Sequence, residues 1–282
     1  MRVVGVDFTS APSRRKPICA AHGRFDGDRV AIERVDRLPD WASFDALLAT
    51  PGPWVGAFDF PFGLPRELVD ALRWPGARAR SQRGWRAMIA HYASLDRAGV
   101  ERAFARFRAK RPAGSKYAHR TTELRALAHP SMKLANPPVG WMLHEGAPRL
   151  VASGVHMPGV ARGDPTRVAL EGYPGLVMRR IALTRGERRT PSYKADARAK
   201  QSPARRDARV GLLWGLVEGA HAYAVRVDLS IALAKTAIDD ASGDTIDAIA
   251  CAVQAAWGAQ RAKTRYGQPS RIDPVEGWIV GA

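Results

Sequence analysis

The chain has 282 residues, of which 46% are hydrophobic and 25% charged, and its formal net charge is +17. This composition predicts a soluble globular protein with a large core, in one domain or two. It excludes a membrane-spanning protein, because no apolar run approaches the ~20 residues that a transmembrane helix needs. The two cysteines, Cys19 and Cys251, exclude a disulfide framework and favour a cytoplasmic setting.

The first part of the chain predicts most of a sheet. Three strands come first, at residues 1–7, 17–22 and 29–35, and their close spacing favours an antiparallel meander. Asp40 or Ser43 caps a helix that extends to about Ala49. Residues 54–60 then predict a fourth strand, which we expect to be parallel to the first because a helix is available for the crossover.

Residues 64–165 predict an insertion between two framework strands of a single domain spanning residues 1–282. Residues 66–133 have a helical and basic character. Residues 134–165 are rich in proline and glycine, which predicts long loops with at most short helices.

A second group of framework elements follows the insertion. Residues 166–172 predict a fifth strand, and residues 276–280 a short closing strand. Helices are predicted from Gly175 to about Leu183, at about 205–219, and from Ser242 or Gly243 to about Lys263.

Acidic residues stand at the ends of these apolar elements. Asp7, Asp59 and Glu171 each end an apolar strand, and Asp244 and Asp247 begin the apolar last helix. A carboxylate among apolar residues is costly unless it is paired, hydrogen-bonded or bound to a metal. The recurrence of this pattern predicts a shared purpose for the five acids.

The order of elements predicts an α/β protein with a ribonuclease H-like fold, in which a mixed five-stranded sheet is flanked by helices. In that fold the first and fourth strands are neighbours, so Asp7 and Asp59 project from adjacent strand ends. Asp244 and Asp247 are three residues apart and share a helix face. Hard oxygen ligands prefer Mg²⁺ or Mn²⁺, and such ions can activate a water for attack on a phosphodiester.

Four motifs carry a family resemblance: Gly5-Val6-Asp7, Phe58-Asp59-Phe60-Pro61-Phe62-Gly63-Leu64-Pro65, Glu171-Gly172-Tyr173-Pro174 and Asp244-Thr245-Ile246-Asp247-Ala248. In this order the chain resembles a prokaryotic domain-of-unknown-function family of predicted nucleases with a ribonuclease H-like fold. The resemblance implies that Asp7, Asp59, Glu171 and Asp247 are catalytic metal ligands, joined by Asp244. Phe8-Thr9-Ser10-Ala11 departs from the Gly-Cys-Lys-Gly-type turn that commonly follows the first aspartate.

Each acid also has an ordinary structural interpretation. Asp7 could cap a turn, and Asp59 could form an Asx-turn before Pro61. Glu171 could pair with an arginine such as Arg179, and Asp244 could be a helix N-terminal acid favoured by the helix dipole.

The basic surplus is confined to two blocks, and we expect it to bind nucleic acid. Residues 66–133 hold 16 basic and 5 acidic residues, a net +11, while residues 179–209 hold 11 and 3, a net +8. Such a division fits a polyanionic partner. Within the first block, Lys116-Tyr117-Ala118-His119-Arg120 suits phosphate and base contacts, with a solvated loop as the alternative.

Three functions compete on the sequence alone. A metal-dependent nuclease acting on DNA or RNA leads, with Mg²⁺ or Mn²⁺ as its cofactor. A non-catalytic nucleic-acid-binding protein of the same fold would bind through the basic blocks, and its binding would survive the loss of Asp7. An ATP-binding protein of the actin and sugar-kinase group is suggested only by Asp7-Phe8-Thr9-Ser10, where Phe8 replaces the usual glycine.

Overall fold

The computed structural model describes residues 1–282 and contains one mixed sheet of seven strands. They are β1 (Arg2–Asp7), β2 (Ile18–Asp26), β3 (Arg29–Leu38), β4 (Trp54–Phe58), β5 (Val155–His156), β6 (Asp164–Glu171) and β7 (Arg226–Leu229). Their order across the sheet is β5-β6-β4-β1-β2-β3-β7. β1, β2 and β3 form an antiparallel meander, while β4 is parallel to β1 and β6 is parallel to β4. The predicted meander and the parallel fourth strand are therefore confirmed.

The sheet has two more strands than the five that the sequence predicts. β5 and β7 lie at its two edges, and each is parallel to its single neighbour. They are two and four residues long, too short to show a period-two pattern of hydrophobicity. The closing strand expected at residues 276–280 is reduced to one bridge between Ile279 and Glu171.

Ten helices cover the sheet: α1 (Trp41–Ala49), α2 (Arg66–Leu72), α3 (Gln82–Ser94), α4 (Arg97–Ala109), α5 (Thr121–Ala126), α6 (Val139–Ser153), α7 (Pro174–Thr184), α8 (Pro203–Glu218), α9 (Ile231–Asp239) and α10 (Asp244–Gln260). Asp40 caps α1, because its carboxylate accepts a hydrogen bond from the Ser43 N–H at 2.8 Å. None of the helices has the length and apolar character needed to cross a membrane.

The expectation of long loops over residues 134–165 is wrong, because α6 has 15 residues there. Pro138 stands immediately before its first turn, where proline is tolerated, and Gly154 ends it in the left-handed conformation. Pro148 lies within the helix. Pro138 and Gly154, which suggest a loop in the sequence, therefore mark the two ends of a helix. One side of this helix is buried and includes Trp141, Leu143 and Ala147.

Side chains of the sheet alternate between two cores. Val4, Val6 and Phe58 face a core shared with helices between β4 and β5, including α3 through Trp85. Val3, Val55 and Ala57 belong to a second core, which α7, α8 and α10 complete. Because the sheet is buried on both faces, its central strands are continuously apolar.

α10 lies against β1 at a glycine. A Cβ atom on Gly5 would come within 2.0 Å of the Ala248 carbonyl oxygen and 2.1 Å of the Ala252 nitrogen. Both are backbone atoms of α10, so only glycine permits this close approach. The contact fixes the first turn of α10 beside the carboxyl end of β1.

Candidate acidic site

The ends of β1 and β4 bring two of the predicted acids together. Val6 is level with Phe58 in the parallel pair, so Asp7 and Asp59 follow at the same height. The Asp59 N–H donates to the Val6 carbonyl at 2.8 Å and holds the two chain segments side by side. Neither carboxylate accepts a hydrogen bond from the protein or forms an ion pair. The turn-capping roles that the sequence also allows require such a hydrogen bond, so neither role is present.

Two further acids come from α10, on the same side of the sheet. Asp244 and Asp247 lie in the first turn of this helix, and both are buried. With Asp7 and Asp59 they form what we call the acidic cluster. Asp7 shares its face of β1 with Val3 and Gly5, the face on which α10 packs. The sheet and the close helix contact therefore determine the position of all four carboxylates.

Burial and repulsion between the acids raise the pKa values of Asp7 and Asp59. Asp7 is 8% exposed, and burial, followed by the charges of Asp244 and Asp247, raises its pKa well above the ordinary value. Burial likewise raises the pKa of Asp59 to about 7, with Asp247 contributing and Lys194 opposing. Ionisation of the two carboxylates without protein partners is therefore costly, and a nearby cation would relieve that cost.

Two residues that sequence reasoning missed bind Asp247, which is fully buried. The Tyr193 hydroxyl donates to its Oδ1 at 2.6 Å, and the Lys194 ammonium donates to its Oδ2. Burial opposes the charged ammonium, but Asp247, Tyr193 and Asp7 hold the pKa of Lys194 well above its ordinary value. Lys194 therefore supplies the counter-charge at the centre of the acidic cluster.

Asp244 has its own counter-ion, which the sequence also did not predict. The Lys16 ammonium contacts its two carboxylate oxygens at 2.8 and 3.1 Å and reaches Asp196 at 2.9 Å. Asp244 begins α10, so the predicted helix N-terminal role is present together with this ion pair. Lys16 lies between β1 and β2, far from the basic blocks, and nothing in its sequence neighbourhood indicates the contact.

Glu171 lies on the other side of the sheet from Asp7, although its charge helps to raise the pKa of Asp59, and its carboxylate is fully engaged. It ends β6 level with Phe58, so the alternation of side chains directs it toward the opposite face of the sheet from Asp7. Arg120 binds its two oxygens at 2.6 and 2.9 Å, and the Phe62 N–H donates to it at 3.0 Å. The pairing with an arginine that the sequence allowed is present, with Arg120 in place of Arg179.

Arg120 itself is no phosphate ligand in this arrangement. It is 2% exposed and also donates to Glu123 at 2.5 Å, while Glu123 accepts from the Ser131 N–H at 2.8 Å. The segment around it predicts phosphate contacts or a solvated loop, and for Arg120 the solvated loop is wrong because the side chain is buried. Its guanidinium is used between two buried glutamates, which is a charge arrangement typical of a structural network.

The chemistry of the donor set fits a hard divalent cation, although the side chains are not arranged as a metal centre. No group of three or more His, Cys, Asp or Glu side chains is placed to hold an ion as they stand. The free carboxylates of Asp7 and Asp59 are suitable ligands. Asp247 would be a third ligand if the cation displaced the Lys194 ammonium from its Oδ2.

The acidic cluster borders a cleft of about 400 Å³. Asp59, Tyr193 and Lys194 line one end of it, and the Arg120–Glu171 pair lines another part of the wall. The remaining wall is largely apolar. A small organic group that enters the cleft therefore lies next to the Asp59 carboxylate and the Lys194 ammonium.

Known proteins add no family to this description. No family model, no curated protein and no solved structure matches the chain significantly. The chemistry of the acidic site is therefore argued from its own residues.

Proposed function

We propose that the protein is a metal-dependent phosphodiesterase acting on nucleic acid, built on a ribonuclease H-like sheet. The observation that carries the proposal is the pair of carboxylates, Asp7 and Asp59, which lie side by side on adjacent parallel strands without a protein partner. Retaining a buried and a partly buried acid side by side without partners is costly, and a divalent cation offsets that cost.

Asp7, Asp59 and Asp247 would hold the cation. A bound Mg²⁺ or Mn²⁺ would supply an activated water and stabilise the charge on a phosphodiester. Tyr193 orients Asp247 through its hydroxyl, and Lys194 places a positive charge beside the carboxylates. Asp244 supports the cluster through Lys16, and Glu171 stabilises the neighbouring β6 end through Arg120.

The second basic block supports a polyanionic substrate. The connection between α7 and α8 (residues 185–202) delivers Lys194 to the acidic cluster. The same connection exposes Arg188, Arg189, Arg198 and Lys200, which form no ion pairs. Unpaired cations beside a negative site favour a substrate that is itself negative and reaches beyond the site, as a nucleic-acid strand does.

The arrangement of strands supports the ribonuclease H-like part of the proposal. An antiparallel meander, β3-β2-β1, continues into the parallel strands β4 and β6, and the last long helix packs on β1. The edge strands β5 and β7 extend this arrangement at both sides. Fold does not decide activity, so the acidic cluster carries the functional argument.

The test is cleavage by the wild-type protein and its Asp7→Asn variant. Single-stranded, duplex and branched DNA and RNA are incubated with Mn²⁺, with Mg²⁺ and with a chelator. We expect metal-dependent products from the wild type and a loss of at least about a hundredfold in the variant, because a ligand of the cation is removed. Asp26→Asn is the matched control, since Asp26 also ends a strand but is exposed.

Equal activity of the wild type and Asp7→Asn on every substrate would refute the proposal. If both proteins bind nucleic acid with the same salt dependence and neither cleaves it, the non-catalytic alternative replaces the nuclease. Thermal stabilisation by ATP without nucleic-acid binding would favour the ATP-binding alternative.

A further inference from the structure

The cleft beside the acidic cluster has the size and lining of a small-molecule site. Its volume of about 400 Å³ falls within the roughly 300–1,000 Å³ of ordinary ligand pockets. Val139 and Met142 of α6 and Pro61 after β4 form apolar parts of its wall. Charged groups line it at Asp59 and Lys194 and again at the Arg120–Glu171 pair, whose charges already bind each other. The cleft therefore combines apolar walls with a charged part at Asp59 and Lys194 that is open to a ligand.

Two rings lie along this cleft. Tyr173 is partly exposed, and its ring lies over Gly175, where an added Cβ would approach it within 2.8 Å. His129 is exposed. Partial desolvation, with the nearby charge of Lys133, lowers the pKa of His129 below its ordinary 6.5, which favours the neutral ring near pH 7. Neutral ring faces beside apolar walls suit another flat ring.

We propose that this cleft binds the base of one unpaired nucleotide while its phosphate lies at the acidic cluster. This inference rests on the proposed function and specifies its substrate as single-stranded or locally unpaired nucleic acid. The flat base packs against Tyr173, Met142 and Val139, and the phosphate lies beside Lys194. Base stacking on an aromatic ring tolerates any base, because every base has a π-face.

A stacked duplex does not fit this arrangement. A base inside a duplex has neighbours above and below it, so it enters a walled cleft only after leaving the stack. The distribution of charge agrees with this: the cations of the α7–α8 connection lie on the chain that carries Lys194, where the strand would continue. The apolar wall contributed by α6 and Pro61 has no such charges.

The test measures binding without cleavage. A short single strand with 2-aminopurine at one position reports stacking by loss of its fluorescence, and it is titrated with the Asp7→Asn protein in a chelator. We expect quenching, and binding of the matched duplex that is weaker by roughly tenfold or more. Deoxy and ribo strands, and free nucleoside monophosphates as competitors, distinguish the sources of the base.

Three variants address the cleft in the same titration. Tyr173→Ala and His129→Ala remove ring faces, and Met142→Trp fills the space. We expect Tyr173→Ala and Met142→Trp to weaken single-strand binding by roughly tenfold, and His129→Ala by a smaller factor. His129 is exposed, so its replacement leaves the core intact. Leu183→Trp is the control, because Leu183 is 56% exposed and does not line the cleft.

The inference is overturned if the duplex binds as tightly as the single strand, or if the cleft variants bind like Leu183→Trp. Either result together with Mn²⁺-dependent cleavage by the wild type refutes the base-binding cleft and leaves the proposed function standing. Base binding as described, with no metal-dependent cleavage of any strand, refutes the proposed function and retains the cleft.

Discussion

The ends of β1 and β6 look alike in sequence but have opposite chemistry in the structure. Asp7 ends β1 with no hydrogen-bond partner, and burial and repulsion raise its pKa well above the ordinary value. Glu171 ends β6 with a bidentate arginine and a backbone N–H. Both are buried carboxylates at the carboxyl end of parallel strands. Their partners distinguish a candidate reactive group from a structural one.

The two networks also differ in how they are neutralised. Arg120 lies between Glu171 and Glu123 and is itself buried, so this network is closed. In the acidic cluster, Lys194 keeps 48% of its side-chain surface exposed and forms an ion pair only with Asp247. A counter-charge that remains open to solvent can be displaced by a ligand, whereas a buried arginine cannot leave without unfolding its surroundings.

The largest effect is expected from breaking the closed network. Arg120→Met leaves Glu171 and Glu123 buried without their cation, which we expect to lower the free energy of unfolding by about 3–5 kcal/mol. Denaturant unfolding measures the change, and Mn²⁺ should not alter it. A loss below about 1 kcal/mol, or recovery by Mn²⁺, would show that the network is not structural.

Replacing the open counter-charge should have a smaller effect that depends on metal. We expect Lys194→Met to destabilise the metal-free protein by about 1–3 kcal/mol, because Asp247 loses its cation. Mn²⁺ should raise the melting temperature of this variant more than that of the wild type. Lys235→Met removes an exposed lysine paired with Asp239 and serves as control. Equal shifts in all three proteins would contradict a cation site at Asp247.

The smallest effect on stability is expected for Asp59→Asn. This variant should be more stable than the wild type, whereas the two preceding variants should be less stable. The folded pKa of Asp59 is about 7, against an ordinary 3.8, so ionisation opposes folding. The cost is absent below about pH 4, grows as the pH rises to about 7, and is constant above. The full shift corresponds to about 4 kcal/mol. Because Asp59 is partly exposed and solvent screens its charge, we expect the variant to exceed the wild type by only about 1–2 kcal/mol at pH 8 without metal, and to be equal to it at pH 4. A difference independent of pH would exclude this explanation.

The framework was predictable from local patterns. The strand meander and α1 follow from short apolar runs, a turn and the capping residue Asp40, all of which are signals within a few residues. The helical character of the first basic block also follows from periodicity. The edge strand β7 has only four residues, one of them buried, so its pairing with β3 depends on long-range contacts that leave no local pattern.

The partners of the acids could not be predicted for the same reason. Lys194 is 53 residues from Asp247, and Arg120 is 51 residues from Glu171. Both lie in blocks with many cations, and nothing local distinguishes the one that becomes buried. The face on which Glu171 lies depends on the register of β4 and β6. A change of one residue in that register reverses the face of every side chain.

The contact at Gly5 makes the order of synthesis matter. Residues 5 and 248 meet backbone to backbone, although almost the whole chain separates them. In a growing chain in which α10 has not yet been synthesised, Asp7 and Asp59 are therefore solvated and have no acids of α10 beside them. Their pKa values are then ordinary. The pKa values of these two residues rise only when α10 packs against β1. Contacts between residues so far apart in sequence are among the slowest that a folding chain forms.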